Sequence, residues 1–211
     1  MESISKHLFF NKNQLLVDFK TRYRFENSLT FAKVFKAIYK DMELDYSKYF
    51  KMDLLSKLGF LSSEVLLQNE AIKSKYKPER TGIILGNSAS TYLTDSKHQE
   101  TISNRETYFP SPANFVYTLP NIMTGEICIR NGFKGENAVF IHPDFDAAFL
   151  YNYAKGLFET NKLDACILGY VNIDENSFES FLTLIEKKEG ETFELSKLND
   201  IFTKYKNITN G

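Results

Sequence analysis

Three side chains able to move a proton or hold a cation lie within five residues: His142, Asp144 and Asp146. Alternate residues of an extended strand point the same way, so the trio could offer one imidazole and two carboxylates on one side. That set suits either a base with an orienting carboxylate or a nitrogen–oxygen metal site. Pro143 and a helix opening near Ala147 interrupt the geometry, and aspartate just before an apolar helix is a favoured cap. A structural role for Asp144 and Asp146 is therefore expected, with no metal and no other cofactor. Gly86-Asn87-Ser88-Ala89-Ser90 has part of the Gly-x-Ser-x-Gly nucleophile turn, but Ser90 replaces the last glycine and no Asp and His follow in suitable places. It reads as a polar strand exit. Cys128 and Cys166 sit in apolar stretches without metal-type spacing, which predicts reduced core thiols.

The elements that position these residues come from the apolar pattern. The chain has 211 residues, 43% of them apolar, enough for one substantial core. It has 19 Phe and 12 Tyr but no Trp, so single-ring aromatics build much of that core. Lys plus Arg number 26 and Asp plus Glu 27, a near balance that argues against general attraction to nucleic acid or an anionic membrane and favours association. The N-terminus lacks a signal-peptide layout, and no apolar run reaches the roughly 18 residues of a membrane span. A cytoplasmic location is expected.

Helices are predicted over residues 29–40 with Ser28 as cap, from Asp53 to the break at Lys77-Pro78, over 115–129 with Pro120 kinking it or near its first turn, over 147–158 and over 194–205. Buried strands are predicted at 81–86, 138–141 and 163–171, with a fourth at 181–186 running into the Lys187-Lys188-Glu189-Gly190 turn. Residues 87–110 read as an extended polar loop. Helices alternating with strands indicate a layered α/β domain.

Two glycine- and asparagine-bearing segments carry a resemblance. Leu119-Pro120-Asn121-Ile122-Met123-Thr124-Gly125 is followed by Ile129-Arg130-Asn131-Gly132-Phe133-Lys134-Gly135-Glu136-Asn137. The order resembles the approach to the nucleophilic cysteine in the N-terminal half of β-ketoacyl-ACP synthases, of the thiolase superfamily. Phe50-Lys51-Met52-Asp53 is similar to a helix start of that family, Arg80-Thr81-Gly82-Ile83-Ile84-Leu85-Gly86 to its next strand, and Leu163-Asp164-Ala165-Cys166-Ile167-Leu168-Gly169 to the strand after the nucleophile helix. The resemblance covers roughly residues 50–190 and implies a thiolase-like half-domain, layered α/β/α with a mixed, mostly parallel sheet. It implies a single domain over 1–211, with 1–45 and 191–211 as helical additions. Counted without gaps, Asp144 stands where the family has its cysteine, and the chain stops where the family's second half, with its two catalytic histidines, would begin.

A carboxylate there could take an acyl group only as a mixed anhydride and would repel a malonyl carboxylate, so condensation by this chain is not expected. The resemblance implies a non-catalytic protein of the chain-length-factor kind in fatty-acid or polyketide-type synthesis. It would pair with a ketoacyl synthase subunit, an acyl carrier protein or a second copy. By the same resemblance Ala138, Val139, Phe140 and Ile141 form the dimer strand, while Asn114, Phe115, Thr118 and Leu119 face an acyl tunnel or the partner. An apolar edge strand independently favours such pairing. Two alternatives stand beside this: an acyl-thioester hydrolase or acyltransferase using His142 and Asp144 as base and orienter, and a self-associating structural protein. The helix over 147–158 carries Phe149, Leu150, Tyr151 and Tyr153, too bulky for the family's central sandwich. Both terminal helices are therefore expected to cover it.

Overall fold

Two runs of β-branched and small residues set the centre of the fold. The computed structural model describes residues 1–106 and 108–210. Within it the strands β1 (Ser3–Asn11), β2 (Gln14–Val17), β3 (Lys20–Arg24), β4 (Thr81–Asn87), β5 (Asn137–Ile141), β6 (Ala165–Ile173), β7 (Phe178–Glu186) and β8 (Glu191–Thr192) form one sheet. Their order is β3-β2-β1-β7-β6-β4-β5, with β8 on β1. Every residue of β4 is buried, as its unbroken apolar pattern requires of a strand covered on both faces. Gly169 lets β6 approach β7, because a Cβ there would overlap the Phe181 carbonyl.

The sheet is mixed, as expected, but it is not mostly parallel. Only β4–β5 and β4–β6 run parallel, whereas β6–β7, β7–β1, β1–β2 and β2–β3 are antiparallel. The added antiparallel strands come from the N-terminus. Residues 1–45 are not simply a helical addition: they supply β1, β2 and β3 before the helix α1 (Phe31–Asp41).

One face of the sheet is covered by α1, α2 (Leu54–Leu67) and α6 (Asn121–Asn131). Asp53 opens α2 as predicted, its carboxylate accepting from Ser56 N at 2.9 Å. Thr30, not Ser28, precedes α1, and α2 ends at Leu67, with a separate turn α3 (Ile72–Lys75) before Pro78. The other face is covered by α7 (Ala147–Glu159) and α8 (Leu195–Asn210). Of the two terminal helices, only α8 therefore covers α7. α1 lies on the opposite face, where Phe31 and Phe35 meet Phe178, and Phe35 also meets Phe10. Residues 87–110 also depart from the loop expected: Tyr92–Glu100 is a helix, α4. The predicted 115–129 helix is two pieces, α5 (Pro112–Val116) and α6, with Pro120 immediately before α6.

Candidate functional site

β5 is the edge of the sheet, and its hydrogen bonding shows which groups are left over. Ile83 N–H donates to the Glu136 carbonyl at 2.8 Å, and His142 N–H donates to the Asn87 carbonyl at 2.9 Å. Because backbone groups alternate along a strand, even-numbered residues of β5 face β4. Asn137, Val139 and Ile141 therefore turn their N–H and C=O groups to the open edge.

The flanks of that edge are apolar. Val139 packs into the core beneath α6, while Phe140 packs against Phe149 and Tyr153 of α7 at 4.7 and 4.9 Å between ring centres. Ile141 and Ile129 are more than half exposed, and Phe149 is 37% exposed. A Cβ built on Gly125 of α6 or Gly156 of α7 meets nothing within 4 Å. Each helix beside β5 thus carries a residue that leaves room for close approach by another backbone.

At the C-terminal end of β5 the chain turns through His142 to Asp146 into α7. The cap is Asp146, whose carboxylate accepts from Phe149 N at 2.9 Å, and not Asp144, which is exposed. His142 Nδ1 lies 3.7 Å from Asp146 Oδ2, and its ring rests on Phe149 at 4.8 Å. The imidazole's carboxylate neighbour is therefore Asp146, where Asp144 was the expected orienter. Phe145 between them is seated against Phe181 and Phe202. The turn lines an open hollow of about 420 Å³ with Ala147, Ala148 and Asn199 of α8. No hydroxyl, thiol or amine side chain is among these lining residues. The two thiols are elsewhere: both are buried and free, and burial raises Cys128 to about 11 and Cys166 further. Among the described residues no group of three His, Cys, Asp or Glu is placed to hold a metal ion. The hollow can bind and polarise, but it offers no side chain that could carry an acyl group as a stable thioester or ester.

A second exposed feature follows β4. Asn87 is buried and ties the exit to β6, its Nδ2 donating to the Val171 carbonyl at 2.7 Å. Ser88 and Ala89 N–H donate to Asn172 Oδ1, so the serine-bearing turn is a braced strand exit. Beyond it, Phe115 and Leu119 are 61% and 55% exposed, while Asn114 and Thr118 are half-buried. Tyr108, Phe109 and Val116 are exposed as well. Thr91 Oγ1 donates to the Thr118 carbonyl at 2.9 Å and fixes the 114–119 ledge to α4.

Solved structures of similar fold are ketosynthases. The ishigamide ketosynthase/chain length factor aligns at a TM-score of 0.63 and 13% identity, over 90% of this chain and 63% of that one. The fold is that of the ketosynthases. A β-ketoacyl synthase from Burkholderia phymatum STM815 gives 0.59 and 10%, over 89% of this chain and 59% of that one. A ketosynthase in complex with its chain length factor, from Xenorhabdus doucetiae, gives 0.51 and 12%, over 90% and 80%. The chain thus spans less than two thirds of the ishigamide and Burkholderia chains. No protein-family model matches the sequence, and no curated protein matches it. At these identities the ketosynthase likeness establishes the fold and leaves the chemistry to the residues.

Gly156 was not singled out in the sequence, and Gly125 and Ile129 stood there only within the two family-like segments, with no part in an interface. Their signal is weak there, since glycine in a helix reads as a simple cost and isoleucine as core.

Proposed function

We infer that this chain is a non-catalytic, ketosynthase-like subunit of acyl-chain assembly, joined to a second subunit through β5. The observation that carries this reading is an open strand edge flanked by room and apolar surface, beside a hollow without a nucleophile. Solved neighbours include ketosynthase/chain length factor pairs and a type II polyketide carrier protein bound to its ketosynthase, which supports partners of both kinds. Its contribution would be geometric. β5 extends a partner's sheet, and the ledge at Asn114, Phe115, Thr118 and Leu119 bounds the acyl chain. Among the described residues no helix is long and apolar enough to cross a membrane.

One register engages the outward groups of Asn137, Val139 and Ile141 together. Antiparallel pairing about a two-fold axis at Val139 sets Asn137 opposite the partner's Ile141 and the two Val139 residues opposite each other. Their Cα atoms would be about 5.5 Å apart, within disulfide range. Val139→Cys should therefore give a covalent dimer under mild oxidation if two copies pair. With a cysteine-bearing synthase co-expressed, it should instead remain uncrosslinked within a heterodimer. A chain that stays monomeric alone and with such synthases would overturn the reading.

The His142–Asp146 contact favours one other reading, a thioester hydrolase in which His142 activates water. Release of free thiol from acyl-thioesters, abolished in His142→Ala and weakened in Asp146→Ala, would establish it. The subunit reading expects release no faster than in buffer.

A further inference from the structure

The hollow at His142 lies past the C-terminal end of β5, and further hollows lie at the other end of the parallel β4–β5 pair. They measure about 410, 230 and 170 Å³ and adjoin one another, since Lys73 and Asn131 line each of them. They form a groove at the C-terminal ends of α2 and α6, with the turn α3 as one wall. Phe133 lines it just before β5 begins, so a strand of about 17 Å separates the groove from the His142 hollow.

The groove changes character along its length. The largest part holds the charge, for Glu64, Arg130 and Lys73 line it. The two smaller parts are walled mainly by Leu67, Ile72, Phe133 and Pro78. Those charges leave one cation over. Arg130 is matched, its Nε and Nη2 donating to Glu64 Oε2 at 3.2 and 3.0 Å. Lys73 is exposed and makes no ion pair among the described residues. Its Nζ donates to the Arg130 carbonyl at 3.0 Å, which holds the ammonium where the charged and apolar parts meet. An ammonium has three donors, and this bond uses one.

One unmatched cation at the mouth of an apolar channel recognises an amphipathic monoanion, with the charge fixing one end and the walls covering the other. A phosphate dianion would meet a single unmatched charge where it needs more. We propose that this groove binds a medium-chain carboxylate, its head group on Lys73 and its alkyl chain along Leu67, Ile72 and Phe133. The groove shares no lining residue with the ledge at Phe115 and Leu119 or with the hollow at His142, so it is a separate site.

The test is calorimetric titration with hexanoate, octanoate and decanoate at neutral pH. Affinity should rise about two- to fourfold with each methylene the groove covers. Lys73→Gln should bind each acid at least about fivefold more weakly, whereas Lys73→Arg, which keeps the charge, should bind as the parent does. Ser74→Trp places a large side chain in the groove and should abolish binding. Positions 73 and 74 are both exposed, so these variants should melt with the parent. Lys162→Gln removes a charge elsewhere and should change nothing. Equal affinity in the parent and Lys73→Gln, affinity independent of chain length, or no saturable binding at millimolar decanoate would overturn the proposal. So would loss of binding in Phe115→Ala with Ser74→Trp unaffected, which would put the alkyl chain on the ledge. The Val139→Cys crosslink does not involve the groove, so it reports separately on the subunit reading, which this site does not require.

Discussion

The hydroxyl of Tyr205 holds the last helix to the first strand. It accepts from Phe19 N at 3.2 Å, donates to the His7 carbonyl at 3.1 Å and sits 2.6 Å from His7 Nδ1. All three contacts are satisfied together when His7 is neutral and carries its proton on Nδ1. Burial pulls the His7 pKa below its ordinary value, while Asp18 and Glu191 push it up and Lys204 pulls it down. The unfolded chain therefore binds more protons just below pH 6.5. The neutral His7 contribution is complete above that value and is lost as pH falls toward the folded pKa. Thermal melts should show a fall in Tm between pH 7 and 5, flattened in His7→Asn; a slope unchanged in that variant would refute the assignment. Tyr205→Phe should cost about 1–3 kcal/mol by denaturant titration, since the part-buried Phe19 N–H and the His7 imidazole lose their partner. The two aspartates of the hollow separate in the same assay. Asp146→Ala should cost about 1 kcal/mol through the lost cap, and Asp144→Ala should cost close to nothing.

Among the elements, α6 and β5 carry the most exposed apolar surface beside open backbone. Gly125→Leu should raise the stability of the isolated chain by up to about 1 kcal/mol, because leucine is the better helix former. Sedimentation of the same variant should show pairing weakened, since the side chain fills the space a partner backbone would take. Stabilisation with pairing intact would place the partner elsewhere. Sequence reasoning found β4 and α2 because their apolar runs announce burial directly; the apolar run of β5 also revealed a strand, but it is a half-exposed edge and not the buried strand expected. It missed β1, where Ser3, Ser5, Lys6 and His7 break the pattern yet pack in the sheet through β7, β8 and α8. It missed α4 because that helix is polar beyond Tyr92 and Leu93 and is held in part by side-chain bonds, including Thr94 Oγ1 to Asp53 Oδ2 at 2.8 Å. Both terminal helices were expected on α7 because an amphipathic face says that something covers it without saying what. The hollow was half legible: the His142, Asp144, Asp146 cluster stood out, but which carboxylate caps and which stays free depends on a turn geometry that alternation does not encode.

At the scale of the molecule, β1 is hydrogen-bonded to β7 in a register that sets Ser3 against Glu186. β1 thus has one edge closed early by β2 and waits for the distant β7 to close the other. Pairing so distant in sequence makes folding slow, because loop closure is lost in entropy before contacts return it. Refolding from denaturant should take milliseconds to seconds or longer and lag behind helix formation, as stopped-flow circular dichroism beside tyrosine fluorescence would record. During synthesis, Leu8, Phe9 and Phe10 would stand uncovered while the rest of the chain is made. Yield of the chain in a cell should therefore depend on translation rate as well as on final stability, which expression at reduced temperature with and without added chaperones would check.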